Sequence, residues 1–163
     1  MADRAIEPLA LAPDEGLSVE NPAGGVLTFK LMSDDCGGVI SAAASDIAVG
    51  EGPPLHVHRD QDEFIYFVAG AFRAKLADRL VDAPPRSFIF IPRGTPHTWQ
   101  NIGDGPGHFF VAVLPASPEF EQFFVRYGEL PQSERGVEAF VRLGRETGAL
   151  EVVGPPLSVS DPL

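Results

Sequence analysis

The chain has 163 residues, of which 44% are hydrophobic and 21% charged, with 17 glycines and 16 prolines; this is the make-up of one ordered, turn-rich domain and excludes a multidomain machine or a disordered chain. Its net charge of -11 gives nucleic-acid phosphates and anionic lipid headgroups no basic surface, so neither nucleic acid nor membrane is expected as a partner. Cys36 stands alone and cannot form an internal disulfide, and Met1 to Pro13 has neither the basic start nor the apolar run of a signal peptide; a cytoplasmic, reducing setting is expected.

In chain order, short runs rich in β-branched and aromatic residues, each closed by Gly, Pro or Asp clusters, predict an all-β sandwich or barrel between residues 25 and 115. The predicted strands are 26–32, 39–49, 55–58, 64–69, 71–76, 80–81, 87–91, 97–102 and 108–114. Within 72–76, Arg73 and Lys75 alternate with Phe72, Ala74 and Leu76, as a strand with one wet face requires. Asp104-Gly105-Pro106-Gly107 reads as a hairpin connection. An arm over 1–24 precedes the barrel, and a helical extension and tail follow it over 116–163.

In that extension Ser117 is placed to cap a helix with Pro118 at its first position and Gly128 at its end. Phe120, Phe123, Phe124 and Tyr127 fall at i, i+3, i+4 and i+7 and form one apolar stripe. A second helix is predicted over 133–147 with Val137, Phe140, Val141 and Gly144 on one side, followed by a short Pro-rich tail. Both stripes are read as covers, over the open side of the β-domain or over a dimer partner, in preference to a direct ligand role. An isologous homodimer is the expected assembly.

Three of the four histidines fall in two short segments, Pro54-Leu55-His56-Val57-His58-Arg59-Asp60-Gln61-Asp62-Glu63 and Pro92-Arg93-Gly94-Thr95-Pro96-His97. Residues two apart on a strand share a face, so His56 and His58 can aim two imidazole nitrogens at one point. Glu63 can return to that point across the intervening turn, and His97 would be the fourth ligand. Three neutral imidazoles and one carboxylate suit a divalent transition metal (iron, nickel, manganese, cobalt, copper or zinc) and leave open positions for substrate or dioxygen. Calcium is disfavoured. His108 is read as an exposed or hydrogen-bonded structural residue, and Cys36 as a spectator.

These segments resemble the two motifs of the cupins. Gly50, His56, His58, Glu63 and Gly70 meet the first, and Pro92, Gly94, His97 and Asn101 the second, with Arg86 standing where the second motif opens on glycine. A non-glycine residue in a left-handed turn costs about 1 kcal/mol, so a different turn is expected at Pro84-Pro85-Arg86. The resemblance implies a single jelly-roll barrel over residues 25–115, with His56, His58, Glu63 and His97 as metal ligands and Gly70, Pro92, Gly94 and Asn101 shaping the turns. The phrases Gly25-Val26-Leu27-Thr28-Phe29, Gly52-Pro53-Pro54-Leu55-His56, Glu119-Phe120-Glu121-Gln122-Phe123-Phe124 and Val153-Gly154-Pro155-Pro156-Leu157 are further similar to bacterial single-domain quercetin dioxygenases.

Ile65 and Phe67 share strand parity with Glu63, and Trp99 and Asn101 share it with His97, so all four are expected to face the metal cavity and form a substrate pocket. The resemblance implies a dioxygenase acting on a flavonol or another enolisable aromatic compound, with Glu63 as catalytic base, dioxygen as co-substrate and carbon monoxide released as the ring opens. Two other readings stay open: a non-oxidative isomerase or polyketide-cyclase type cupin, and a non-catalytic small-molecule-binding module.

Overall fold

The computed structural model describes residues 6–162, and its architecture is two antiparallel sheets packed as a sandwich with helices over one end. The strands are β1 (Leu17–Glu20), β2 (Val26–Leu31), β3 (Ser41–Ile47), β4 (Pro54–Val57), β5 (Asp62–Ala69), β6 (Phe72–Leu76), β7 (Arg79–Ala83), β8 (Phe88–Ile91), β9 (His97–Asn101), β10 (Gly107–Leu114) and β11 (Glu151–Pro156). The helices are α1 (Pro118–Glu129), α2 (Val137–Thr147) and α3 (Leu157–Ser160). One sheet runs β1-β2-β3-β10-β5-β8 and the other β11-β4-β9-β6-β7. Among the described residues no helix is long and apolar enough to cross a membrane.

The inner faces follow the period-2 rule. Glu63, Ile65 and Phe67 of β5 are buried while Tyr66 and Val68 face out, and Phe72 and Ala74 of β6 are buried while Arg73 and Lys75 stay half-exposed. Phe29, Phe67, Phe72, Trp99 and Phe109 fill the space between the sheets. Phe67 and Phe72 stack with centroids 4.5 Å apart, and Trp99 meets Phe109 edge-on at 4.8 Å.

Several expectations are corrected. The sheets extend past 25–115: β1 in the arm pairs with β2, and β11 in the tail pairs with β4. Residues 102–106 join β9 to β10, which lie in different sheets, so Asp104-Gly105-Pro106 carries the chain across the sandwich rather than closing a hairpin. Helix α1 runs through Gly128 to Glu129, because glycine is there for room: a Cβ at Gly128 would sit 3.3 Å from the Val19 Cβ of β1. Ser133 belongs to a separate short turn over Gln132–Glu134, and α2 begins only after Gly136. The inward face of α2 is Ala139, Phe140, Leu143 and Gly144, with Val137 exposed. Arg86 does adopt the left-handed backbone, with φ of 72°, its N–H donating to the Phe67 carbonyl at 2.6 Å. That tertiary hydrogen bond offsets the local steric cost the side chain brings.

Helix α1 is capped as the sequence predicts, the Ser117 hydroxyl accepting from the Phe120 N–H at 3.1 Å. A buried carboxylate then ties it to the barrel. Glu121 accepts from the Ser33 N–H at 2.6 Å, the Ser33 hydroxyl at 2.9 Å and the Ser41 hydroxyl at 2.6 Å. Glu121→Ala removes the acceptor of all three donors, of which the Ser41 hydroxyl is fully buried, and is expected to cost about 3 kcal/mol. At about 2–4 °C per kcal/mol for a chain of this size, Tm should fall by about 6–12 °C. A thermal melt within about 2 °C of the parent would show that the carboxylate does not anchor the helix.

Candidate metal centre

The site is assembled at one end of the sandwich from three strands. β4 presents His56 on its inner face and leads directly into His58, β5 begins with Glu63 one residue after its start, and β9 begins with His97, which pairs with His56 across the ladder. Gly94 makes the last placement possible. Its φ of 79° is open to glycine without strain, and its N–H donates to the His58 carbonyl at 2.8 Å, so the turn before β9 is fastened to the other histidine segment. Asp62 and Arg93 add a two-pronged ion pair between the same segments, with Nε to Oδ1 and Nη2 to Oδ2 both 3.0 Å, and the guanidinium holds the Asp62 carboxyl down at about 2.

One potential ligand atom from each of His56, His58, Glu63 and His97 lies within 4.8 Å of the others, and all four residues are buried. Each imidazole is oriented from behind. His56 Nδ1 faces the Pro54 carbonyl at 2.8 Å, His58 Nδ1 the Ala149 carbonyl at 2.9 Å and His97 Nδ1 the Thr95 carbonyl at 2.9 Å. A carbonyl can only accept, so each Nδ1 carries the proton and each Nε2 lone pair is left to face inward.

The donor set fits a metal cation on its own chemistry. Glu63 Oε2 and His97 Nε2 approach to 2.8 Å, yet both are buried atoms without a properly directed hydrogen bond. With Nδ1 supplying the only proton, these are two acceptors pressed together, and a second proton on His97 or a metal ion must lie between them. The electrostatics agree. Burial works to push the Glu63 carboxyl up, but the neighbouring His97 and His58 outweigh it and hold the group well below the usual carboxylate range. Burial and the two neighbouring imidazoles push His56 well below 6.5. Burial pulls His97 the same way, but Glu63 overcomes it and raises His97 above 6.5.

A pH dependence follows for metal binding. A proton on His97 competes with the metal, and the raised pKa that Glu63 gives this group brings the competition in above the ordinary imidazole range. Affinity measured by competitive titration should be flat at high pH and fall about tenfold per pH unit once His97 protonates. Equal affinity at pH 8 and pH 5 would contradict this.

Beside the ligands lies a narrow cavity of about 40 Å³. Its barrel walls include Leu27, Trp99, Phe109 and Val111, and its roof is Phe120, Phe123 and Phe124 of α1 with Phe140 of α2. No lysine or arginine is among its lining residues. The helical stripes therefore cover the open end of the barrel and also wall the site: Phe120 packs against His58 with centroids 5.8 Å apart and Phe140 against His56 at 6.1 Å.

Of the four residues expected in the pocket, Trp99 lines the cavity and Ile65, Phe67 and Asn101 do not. Parity placed them on the inner face but could not give depth. Ile65 and Phe67 lie farther along β5, in the packed middle of the barrel, and Asn101 spends its amide on the Ile47 and Gly105 carbonyls and the Gly103 N–H, each at 3.0 Å. His108 pairs with Asp46 at the surface, 2.7 Å apart, and the half-buried Cys36 thiol faces the Ile40 carbonyl at 3.1 Å. Sequence reasoning missed Ala149 and β11, which hold His58 and cover the outer edge of β4.

Comparison with known proteins falls on the same barrel. The family described as "Cupin domain" matches residues 44–113, and no curated protein matches. The structure of KdgF from Halomonas sp. superposes with a TM-score of 0.62 at 16% identity, over 69% of this chain and 98% of that one. An RmlC-like cupin from Shewanella frigidimarina NCIMB 400 gives 0.60 at 15% identity, over 70% and 96%. The polyketide cyclase RemF from Streptomyces resistomycificus gives 0.59 at 19% identity, over 69% and 82%. At these identities the likeness is one of fold. The family match, the two-sheet sandwich and the buried three-histidine, one-glutamate cluster coincide, so residues 44–113 of this chain form a cupin domain.

Proposed function

We propose that this cupin is a metal-dependent dioxygenase of an uncharged, enolisable aromatic compound such as a flavonol, with His56, His58, Glu63 and His97 holding one divalent transition metal. The observation that carries this reading is the pairing of a four-ligand site with aromatic walls that contain no lysine or arginine. A carboxylate or phosphate substrate would find no lysine or arginine in this cavity, and only the single net positive charge of the loaded metal site to offset its desolvation. A flat, apolar molecule with one hydroxyl directed at the ligands meets no such cost, and Trp99, Phe120 and Phe124 offer it ring faces and edges.

When bound, the metal supplies Lewis acidity toward the substrate hydroxyl and a route for electrons to dioxygen. The remaining work belongs to side chains. Glu63, kept ionised by its histidine neighbours, accepts the hydroxyl proton at Oε2 and holds it within the site. Burial of all four ligands keeps bulk water from returning that proton to the enolate. The Nδ1-to-carbonyl bonds fix the three rings with their Nε2 atoms turned inward, where they would hold the metal. Both atoms of dioxygen enter the product, and for a flavonol one ring carbon leaves as carbon monoxide.

Oxygen-electrode assays on protein loaded in turn with iron, nickel, cobalt, manganese, copper and zinc, using flavonols and polyketide-like phenols, test the proposal. Uptake of one dioxygen per substrate consumed is the expected result. Conversion without oxygen uptake would replace it with a Lewis-acid isomerase or cyclase, and tight binding without turnover would replace it with a binding module.

A further inference from the structure

The cavity of about 40 Å³ is too small for the substrate class proposed for it. An apolar cavity that holds a single benzene measures about 150 Å³. Any aromatic substrate must therefore displace part of the wall, and the structure shows where the wall is thin. A groove of about 460 Å³ lies outside, between the 21–25 turn, the 48–54 loop and the start of α2, and it shares three residues with the cavity: Asn21, Pro22 and Phe140. The same side chains thus form the inner face of one space and the outer face of the other. By contrast, the groove between α1 and α2 at Arg126 and Glu146 has no wall in common with the cavity.

Of the three shared residues, Asn21 is tied down, its amide donating to the Ser45 hydroxyl at 2.8 Å and its carbonyl accepting from the Ala23 N–H at 2.9 Å. Pro22 is held within the same turn, where the Asn21 N–H donates to the Gly25 carbonyl at 2.9 Å. The Phe140 side chain is held only by packing, against His56 on the metal side and Phe123 on the helix side. It sits in the first turn of α2, whose N-cap, Gly136, has a φ of 137° and offers no side-chain cap. The backbone of that turn is anchored, the Gly136 N–H donating to the Tyr127 hydroxyl at 3.1 Å, so the freely rotating element of the partition is the Phe140 side chain, which makes no hydrogen bond. The groove is also mixed in character, with Glu51, Tyr127 and Arg135 beside glycine backbone, which suits the polar, hydroxylated end of a molecule whose ring lies inside.

We infer that this groove is the entry port and outer subsite for an uncharged, amphiphilic aromatic substrate, and that Phe140 is the specificity-determining residue that sets what reaches the metal. The inference rests on the proposed function for the substrate's chemistry, but the port itself is a property of the chain and can be tested without metal.

Trp99 is the chain's sole tryptophan and lines the inner cavity, so it reports access directly. In metal-free protein, Phe140→Ala should raise the acrylamide quenching constant of Trp99 at least threefold, with Phe140→Leu intermediate and Val68→Ala, on the outer face of β5, unchanged. In zinc-loaded protein, stopped-flow absorbance with 4-nitrocatechol should show association at least fivefold faster in Phe140→Ala. It should be about fivefold slower in Val137→Trp, which crowds the groove from an exposed position, with equilibrium affinity in that variant within twofold of the parent and Val68→Trp as the matched control. Circular dichroism establishes that each variant is folded, and Val137→Trp carries the test if Phe140→Ala does not fold. Unchanged quenching in both Phe140 variants, or an association rate unmoved by Val137→Trp, would overturn the port. Raised quenching with no catechol binding in any protein would leave the port standing and remove the metal-site reading instead.

Discussion

Glu63→Gln is expected to keep the metal and lose turnover by about 10²–10⁴-fold, the usual contribution of a positioned general base. Glutamine preserves the side chain's length and one oxygen donor, so the ligand cage keeps its shape. It cannot accept the hydroxyl proton, and that loss falls on kcat more than on KM, because the base acts in the transition state rather than in holding the ring. Metal content measured beside steady-state oxygen uptake separates the two effects. Full activity in a metal-replete Glu63→Gln protein would remove Glu63 as the base while leaving it a ligand.

His97→Ala is expected to act through the metal instead. It removes the only ligand supplied by β9 and leaves Glu63 Oε2 with His58 Nε2, 3.3 Å away, as its remaining imidazole neighbour. For the parent protein, metal at about a thousand times its dissociation constant stabilises the native state by about 4 kcal/mol. Stripping it with a chelator should lower Tm by about 8–16 °C at about 2–4 °C per kcal/mol. In His97→Ala the same treatment should shift Tm by less than about 2 °C, with bound metal below a tenth of an equivalent. A chelator shift as large as the parent's would mean that the stabilising ion sits elsewhere.

The four ligand residues were legible because their chemistry and spacing agree. His56 and His58 share a face by strand parity, Gly94 opens the turn before His97, and four polar groups of metal-binding type in two short segments have few other uses. What surrounds them was less legible, for physical reasons that differ from residue to residue. Ile65 and Phe67 show that parity gives the face of a strand but not how far along the barrel a residue lies. Arg86 shows that a left-handed turn can be filled by a non-glycine residue when a tertiary hydrogen bond, here to the Phe67 carbonyl, holds it. The stripe of Phe120, Phe123 and Phe124 was legible as apolar, and its spacing carried no information about whether it would meet a partner chain or roof a cavity. The Ala149 carbonyl that orients His58 had no signature at all, since every residue offers a carbonyl and only the fold of the tail selects one.

The arrangement of the tail has a bearing on how the site is maintained. His58 is fixed by Ala149, Arg59 is paired with Glu151, and β11 covers the free edge of β4, so residues 91 and 92 positions away in sequence hold the His-x-His strand in place. A barrel trimmed to residues 25–115 would keep every ligand and lose the support of one of them.

The central claim is that His56, His58, Glu63 and His97 converge on one metal ion. Elemental analysis of the full chain after equilibration with a divalent transition metal and removal of the excess tests it most directly. One equivalent per chain, falling below a tenth in His97→Ala, is the predicted result; a parent protein that retains none, with each candidate metal offered in turn, would contradict it.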